Sequence, residues 1–79
     1  MNHVEEQVKK IVEDIYKKKN GGAFQISKST SLRNDLGFDS FDLAELTVKI
    51  EDLFGIDIFE NRIVDTFEQI INELTNLRE

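Results

Sequence analysis

Ser40 is the side chain whose surroundings suggest chemistry. It sits in Asp35-Leu36-Gly37-Phe38-Asp39-Ser40-Phe41-Asp42, after a loop containing glycine and directly after Asp39, a residue suited to cap a helix. In the first turn of a helix, free backbone N–H groups and the positive end of the macrodipole favour an anion. A phosphate esterified to Ser40 is therefore tolerated there despite the neighbouring Asp39 and Asp42. Ser40 is ill equipped to act as a nucleophile unaided. No G-x-S-x-G elbow surrounds it, the sole histidine is His3, and the chain has no cysteine, so it lacks both a base-and-orienter set and a thiol. The same composition excludes disulfides and thiolate metal sites and argues against a His-rich zinc centre. The pattern points away from catalysis by this chain alone. The plain alternative, that Ser40 is only a capping or first-turn helix residue, stands beside the phosphoester reading.

The acids near Asp35 raise a second possibility, a calcium-binding helix-loop-helix. With Asp35 as the first position, positions three and twelve fall on Gly37 and Leu46, where oxygen ligands are needed, so no specific metal site is expected.

The elements that must position Ser40 follow from apolar spacing and stop signals. Asn2 and Glu5 form a capping pair for a first helix, whose Val4, Val8, Ile11, Val12, Ile15 and Tyr16 recur at helical intervals. Lys17-Lys18-Lys19 complement the dipole at its end, and Asn20-Gly21-Gly22 stop it. Residues 21 to 38 lack helical periodicity, yet Phe24, Ile26, Leu32, Leu36 and Phe38 are too apolar for a free linker and pin this loop across the core. A second helix runs from a cap at Asp39 to Phe54 and breaks at Gly55. A short helical turn is expected around Asp57 to Ile63. Asp65-Thr66-Phe67-Glu68 then reads as an Asp-x-x-Glu capping box opening a last helix, with Phe67, Ile70, Ile71, Leu74 and Leu77 inward. No segment alternates with period two. The expectation is an all-α fold, a small four-helix bundle with three principal helices, one short helix and a long first loop, forming a single domain over residues 1–79.

Charge bears on partners. Sixteen acidic and ten basic residues give a net charge of −6, which disfavours nucleic acid and anionic lipid as partners. Residues 35–60 alone carry −7, whereas residues 1–34 carry +3. Apolar runs are too short for a membrane span, no secretory leader is recognisable, and nothing demands an oligomer, so a cytoplasmic monomer is expected.

The second helix carries two apolar stripes. At about 100° per residue, Leu43, Leu46, Thr47, Ile50, Leu53 and Phe54 share the arc assigned to the core. Phe41, Ala44 and Val48 fall in another, rimmed by Glu45, Glu51 and Asp52. An apolar strip with an acidic rim suits docking of a basic, partly apolar surface. The bland alternative packs Phe41 and Val48 beneath the first loop or against another helix.

Taken together, the Asp35-to-Asp42 segment, Ala44-Glu45-Leu46 and Glu51-Asp52-Leu53-Phe54-Gly55-Ile56 closely resemble the acyl carrier proteins, and the resemblance spans nearly the whole chain. It implies that Ser40 is esterified with 4′-phosphopantetheine, derived from coenzyme A, by a separate Mg²⁺-dependent phosphopantetheinyl transferase. Acyl groups then ride as thioesters on the arm, in fatty acid, lipid or specialised metabolite biosynthesis. The reactive thiol belongs to the cofactor, so a chain without cysteine suffices. The resemblance also implies that Asp39, Asp42, Glu45, Glu51 and Asp52, with the strip of Phe41, Ala44 and Val48, meet basic patches on acyl-activating enzymes, acyltransferases or ketoacyl synthases. Part of the strip alternatively borders a pocket for the acyl chain. Phe41 stands where the family usually has leucine, residues 58–62 lack the family's common proline and dense acids, and Lys49 interrupts the acidic face. These departures lean toward a specialised rather than a housekeeping carrier. An aminoacyl (D-alanyl or peptidyl) carrier and an unmodified acidic interaction module are the competing readings.

Overall fold

The computed structural model describes residues 3–57 and 64–76. Three helices occur among them: α1 (His3–Asn20), α2 (Ser40–Phe54) and α3 (Phe67–Asn76). The fold is all-α, and the sole β-type pairing among the described residues is an isolated antiparallel bridge between Ser31 and Thr66. The short helix expected around Asp57 to Ile63 and the inward Leu77 fall on or run into residues outside the described ones, as does the Asn2 cap.

Helix α1 is the element against which both other helices pack. Its buried Val8, Val12 and Ile15 recur at intervals of three and four residues, so they form one stripe that meets Leu46 and Ile50 of α2 and Phe67, Ile70 and Leu74 of α3 in one core cluster. The helix stops where expected. The Gly21 N–H donates to the Lys17 carbonyl at 2.7 Å, with Gly21 at φ +80°.

The long loop is pinned across the core, as its apolar content requires: Ile26, Leu32, Leu36 and Phe38 are buried, and Phe24 meets the Tyr16 ring edge-on at 5.4 Å between centroids. It is also tied to the start of α3. The Leu32 N–H donates to the Asp65 carbonyl at 2.7 Å, and the Phe67 and Glu68 N–H groups donate to the Thr30 and Lys28 carbonyls, each at 3.0 Å. The loop thereby satisfies two of the donors that a helix N-terminus leaves unpaired.

These ties correct the capping box of the last helix. Thr66, one residue after Asp65, is the cap: its Oγ1 accepts from the Gln69 N–H at 3.2 Å, and Gln69 Oε1 accepts from the Thr66 N–H at 3.0 Å. The box is Thr-x-x-Gln. Asp65 is committed elsewhere, because its Oδ2 accepts from the Ser31 hydroxyl at 2.8 Å.

A second correction concerns α2. Leu46 and Ile50 are fully buried and Leu43 and Phe54 partly so, but Leu53 is 50% exposed. It stands at the edge of the core arc, in the last turn of α2. Thr47 sits beside the core because its hydroxyl donates to the Leu43 carbonyl at 2.8 Å, which removes the cost of leaving it unpaired.

Candidate functional site

The loop delivers the chain to Ser40 through two buried anchors, Leu36 and Phe38, with Gly37 between them at φ +70°. That left-handed conformation favours glycine, and it lets the chain turn while both flanking side chains stay in the core. Asp39 is then the N-cap of α2 in a complete capping box. Its Oδ1 accepts from the Asp42 N–H at 3.0 Å, and Asp42 Oδ2 accepts from the Asp39 N–H at 3.1 Å. At the other end, the Gly55 N–H donates to the Glu51 carbonyl at 2.7 Å with Gly55 in the left-handed conformation, which closes the helix where the sequence reading ends it.

Ser40 is therefore the first helical residue and not the cap. It is exposed, and its hydroxyl makes no hydrogen bond to any described residue. The Ser40 and Phe41 N–H groups also have no acceptor among the described residues, whereas the corresponding donors of α3 are taken by the loop. An outward hydroxyl beside two free N–H donors at the positive end of a helix is a setting that tolerates a phosphodiester.

The acids of the motif are held by α1. Lys19 Nζ lies 3.0 Å from Asp42 Oδ2 and 3.6 Å from Asp39 Oδ2, and Lys18 Nζ donates to Glu45 Oε2 at 2.6 Å. Lys49 adds a longer contact to Glu45 at 3.8 Å. Sequence reasoning assigned the three lysines to the helix dipole and missed this role. The spacing of 27 residues between Lys18 and Glu45 carries no local signal, and only the packing of α1 on α2 brings them together.

These contacts move the titrations in predictable directions. The hydrogen bond from the Asp42 N–H, reinforced by Lys19, holds the Asp39 carboxyl below its ordinary value. The hydrogen bond from Lys18 does the same to Glu45, and the hydrogen bond to Asp42 raises Lys19. Because Asp39 and Glu45 are depressed in the folded state, their contributions to stability are complete above the ordinary carboxylate range and are lost as the pH falls through the lowered values. That of Lys19 is complete below the ordinary lysine value and is lost as the pH rises through the raised one. In an NMR titration, the Glu45 carboxyl is expected to protonate at lower pH in the wild type than in Lys18→Ala. Coincident curves would dissolve the pair.

The proposed contact strip is at the surface. Phe41 is 86% exposed, Val48 63%, and Ala44 is exposed between them, so packing beneath the first loop does not occur. Glu51 and Asp52 are exposed alongside. The described residues hold no cluster of His, Asp or Glu able to bind a metal ion, and no helix among them is long and apolar enough to cross a membrane.

Compared with known proteins, residues 6–77 match the family model described as the phosphopantetheine attachment site. No solved structure matches the chain.

Proposed function

Because this chain belongs to the phosphopantetheine attachment-site family, with 4′-phosphopantetheine as its covalent prosthetic group, we propose that it is an acyl carrier whose arm is esterified to Ser40. The observation that carries the assignment to Ser40 is the division of labour at the start of α2. Asp39 does the capping, which leaves the Ser40 hydroxyl outward and unbonded. Esterification would turn a capping serine's oxygen into a weaker and more crowded acceptor, whereas the Ser40 oxygen holds no such bond to weaken.

The residues present fit the group. The free N–H donors of Ser40 and Phe41 and the positive end of the helix dipole belong to the same first turn as Ser40 Oγ, which favours an anion there. Lys19 offsets the two carboxylates that flank it. When bound, the arm supplies a thiol that holds an acyl group as a thioester and carries it between enzymes at high effective concentration.

The chain supplies position and leaves activation to its transferase. The Ser40 hydroxyl proton must pass to a base on that enzyme. His3 lies sixteen residues before Lys19 on α1, about 24 Å along the helix axis. Asp39 is committed to the cap and to Lys19, and its lowered pKa makes it a weak base.

The acyl cargo is favoured over an aminoacyl one by the exposed strip of Phe41, Ala44 and Val48 with Glu51 and Asp52 beside it, which suits enzymes presenting basic, partly apolar patches. The departures at Phe41, Lys49 and residues 58–62 support a specialised pathway. Incubation of the full chain with coenzyme A, Mg²⁺ and a broad-specificity phosphopantetheinyl transferase is expected to add one phosphopantetheinyl increment, mapped by peptide mass to Ser40. A folded, unmodified sample, with a reference carrier loaded in parallel, would favour the unmodified interaction module instead.

A further inference from the structure

The acids on and around α2 are not equivalent. Asp39 and Asp42 share the Lys19 ammonium, and Glu45 holds Lys18 with Lys49 nearby. Glu51 and Asp52 have no ion pair among the described residues. Val48, exposed to 63%, stands three and four positions before them on adjoining helix surface, and the three residues line a shallow surface depression. The first half of the acidic face is thus already engaged by cations of the same chain, and the second half is open.

A basic group approaching Asp42 or Glu45 meets a carboxylate whose charge is already offset by an ammonium on one oxygen, and it must compete with that ammonium or take the other oxygen. A group approaching Glu51 or Asp52 displaces only water and small counterions. Exposed pairs of this kind change association modestly, by up to about fivefold each. That is enough to decide which end of a helix a partner reads when both ends present similar charge.

We propose that Lys18 and Lys19 act as internal competitors for the first half of α2, so that a protein partner with a basic-rimmed apolar patch reads this chain chiefly through Val48, Glu51 and Asp52. The inference rests on the carrier reading, since the partners concerned are the enzymes that visit Ser40. Charge complementarity commits the occupant: residues 35–60 carry −7, and the open part of that charge flanks the exposed valine.

The test uses the full chain and a phosphopantetheinyl transferase with coenzyme A and Mg²⁺ at low salt, read as KM and kcat for the carrier. Glu51→Gln with Asp52→Asn is expected to raise KM about three- to tenfold with kcat unchanged and to flatten its salt dependence. Glu45→Gln alone is expected to change KM less than about twofold. Lys18→Ala with Lys19→Ala is expected to lower KM about two- to fivefold, and in that background Glu45→Gln becomes costly. Lys18→Gln repeats the comparison with one exposed lysine changed, should the double variant fold poorly. A lysine variant that leaves KM unchanged or raises it, or an equal cost of Glu45→Gln in both backgrounds, overturns the proposal.

A second arm titrates the same variants with a synthetic amphipathic peptide of leucine and arginine, followed by NMR shifts. The same order of Kd is expected, with the largest shifts around Val48, Glu51 and Asp52. If the wild type takes no phosphopantetheine while a reference carrier does, the carrier reading fails and the peptide order alone decides: equal Kd values for all variants overturn the competition.

Discussion

Ser40→Ala is expected to take no phosphopantetheine at all while melting within a few degrees of the wild type. The loss is complete because the ester needs an oxygen at this position and no neighbouring residue of the first turn offers a hydroxyl: the flanking positions are Asp39, Phe41 and Asp42. The stability is preserved because every interaction that starts α2 belongs to other residues. Asp39 caps, Asp42 completes the box, and Leu43 donates the first helical hydrogen bond to the Asp39 carbonyl at 2.9 Å. Alanine is a good helix former, and the change lies at an exposed site, so a shift within about 0.5 kcal/mol is expected. In a domain of this size that is roughly 2–4 °C in Tm. Intact mass after transferase treatment and a thermal melt by circular dichroism check the two halves separately. A mass increment on the variant would move the attachment to another hydroxyl. A collapsed melt with no increment would show that Ser40 is structural, and the assignment of the cap to Asp39 would fall with it.

Leu46→Ala should destabilise the fold by about 2–5 kcal/mol, the cost of removing a large buried side chain and leaving a partly unfilled cavity. Leu46 is fully buried in the core cluster with Val8, Val12 and Ile15 of α1 and Ile70 and Leu74 of α3. A chain of 79 residues has a total stability of about 4–12 kcal/mol, so this one truncation removes a large share of it. The melting temperature is expected to fall by about 10 °C or more. Leu53→Ala is the matched comparison. That leucine was assigned to the same apolar arc but is half exposed, and its truncation is expected to cost less than about 1 kcal/mol. Chemical denaturation of the two variants measures both. Equal costs would mean that α2 is rotated relative to α1 from the orientation described, and with it the outward presentation of Phe41, Val48 and Ser40.

The two predictions draw on different kinds of information. The place of Ser40 was legible because what defines it is close in sequence: the cap at Asp39 and the stop at Gly55 lie 16 residues apart, directly after a loop containing glycine. Capping, turn chemistry and helical periodicity are local, so residue types at short spacing report them. The exposure of Phe41, Ala44 and Val48 was partly legible. Helical angle separated them from the core stripe, but whether the loop covered them could not be read from angle alone. The cap of α3 was placed one residue early because Asp65 and Thr66 are both good caps. The choice went to Thr66 once Ser31, 34 residues away, engaged the Asp65 carboxylate.

By itself, the sequence determined three amphipathic helices, a pinned loop, an acidic second helix and a serine at its start with no catalytic companions. Tertiary structure alone decided that Lys18 and Lys19 neutralise the first half of that helix, that Glu51 and Asp52 stay open, that Leu53 lies half outside the core and that Asp65 serves the loop. The physical reason is range. A cap or a turn is formed by neighbours along the chain, whereas an ion pair spanning 27 residues exists only because buried valines, leucines and isoleucines hold α1 against α2, and that packing sets which surface charges meet.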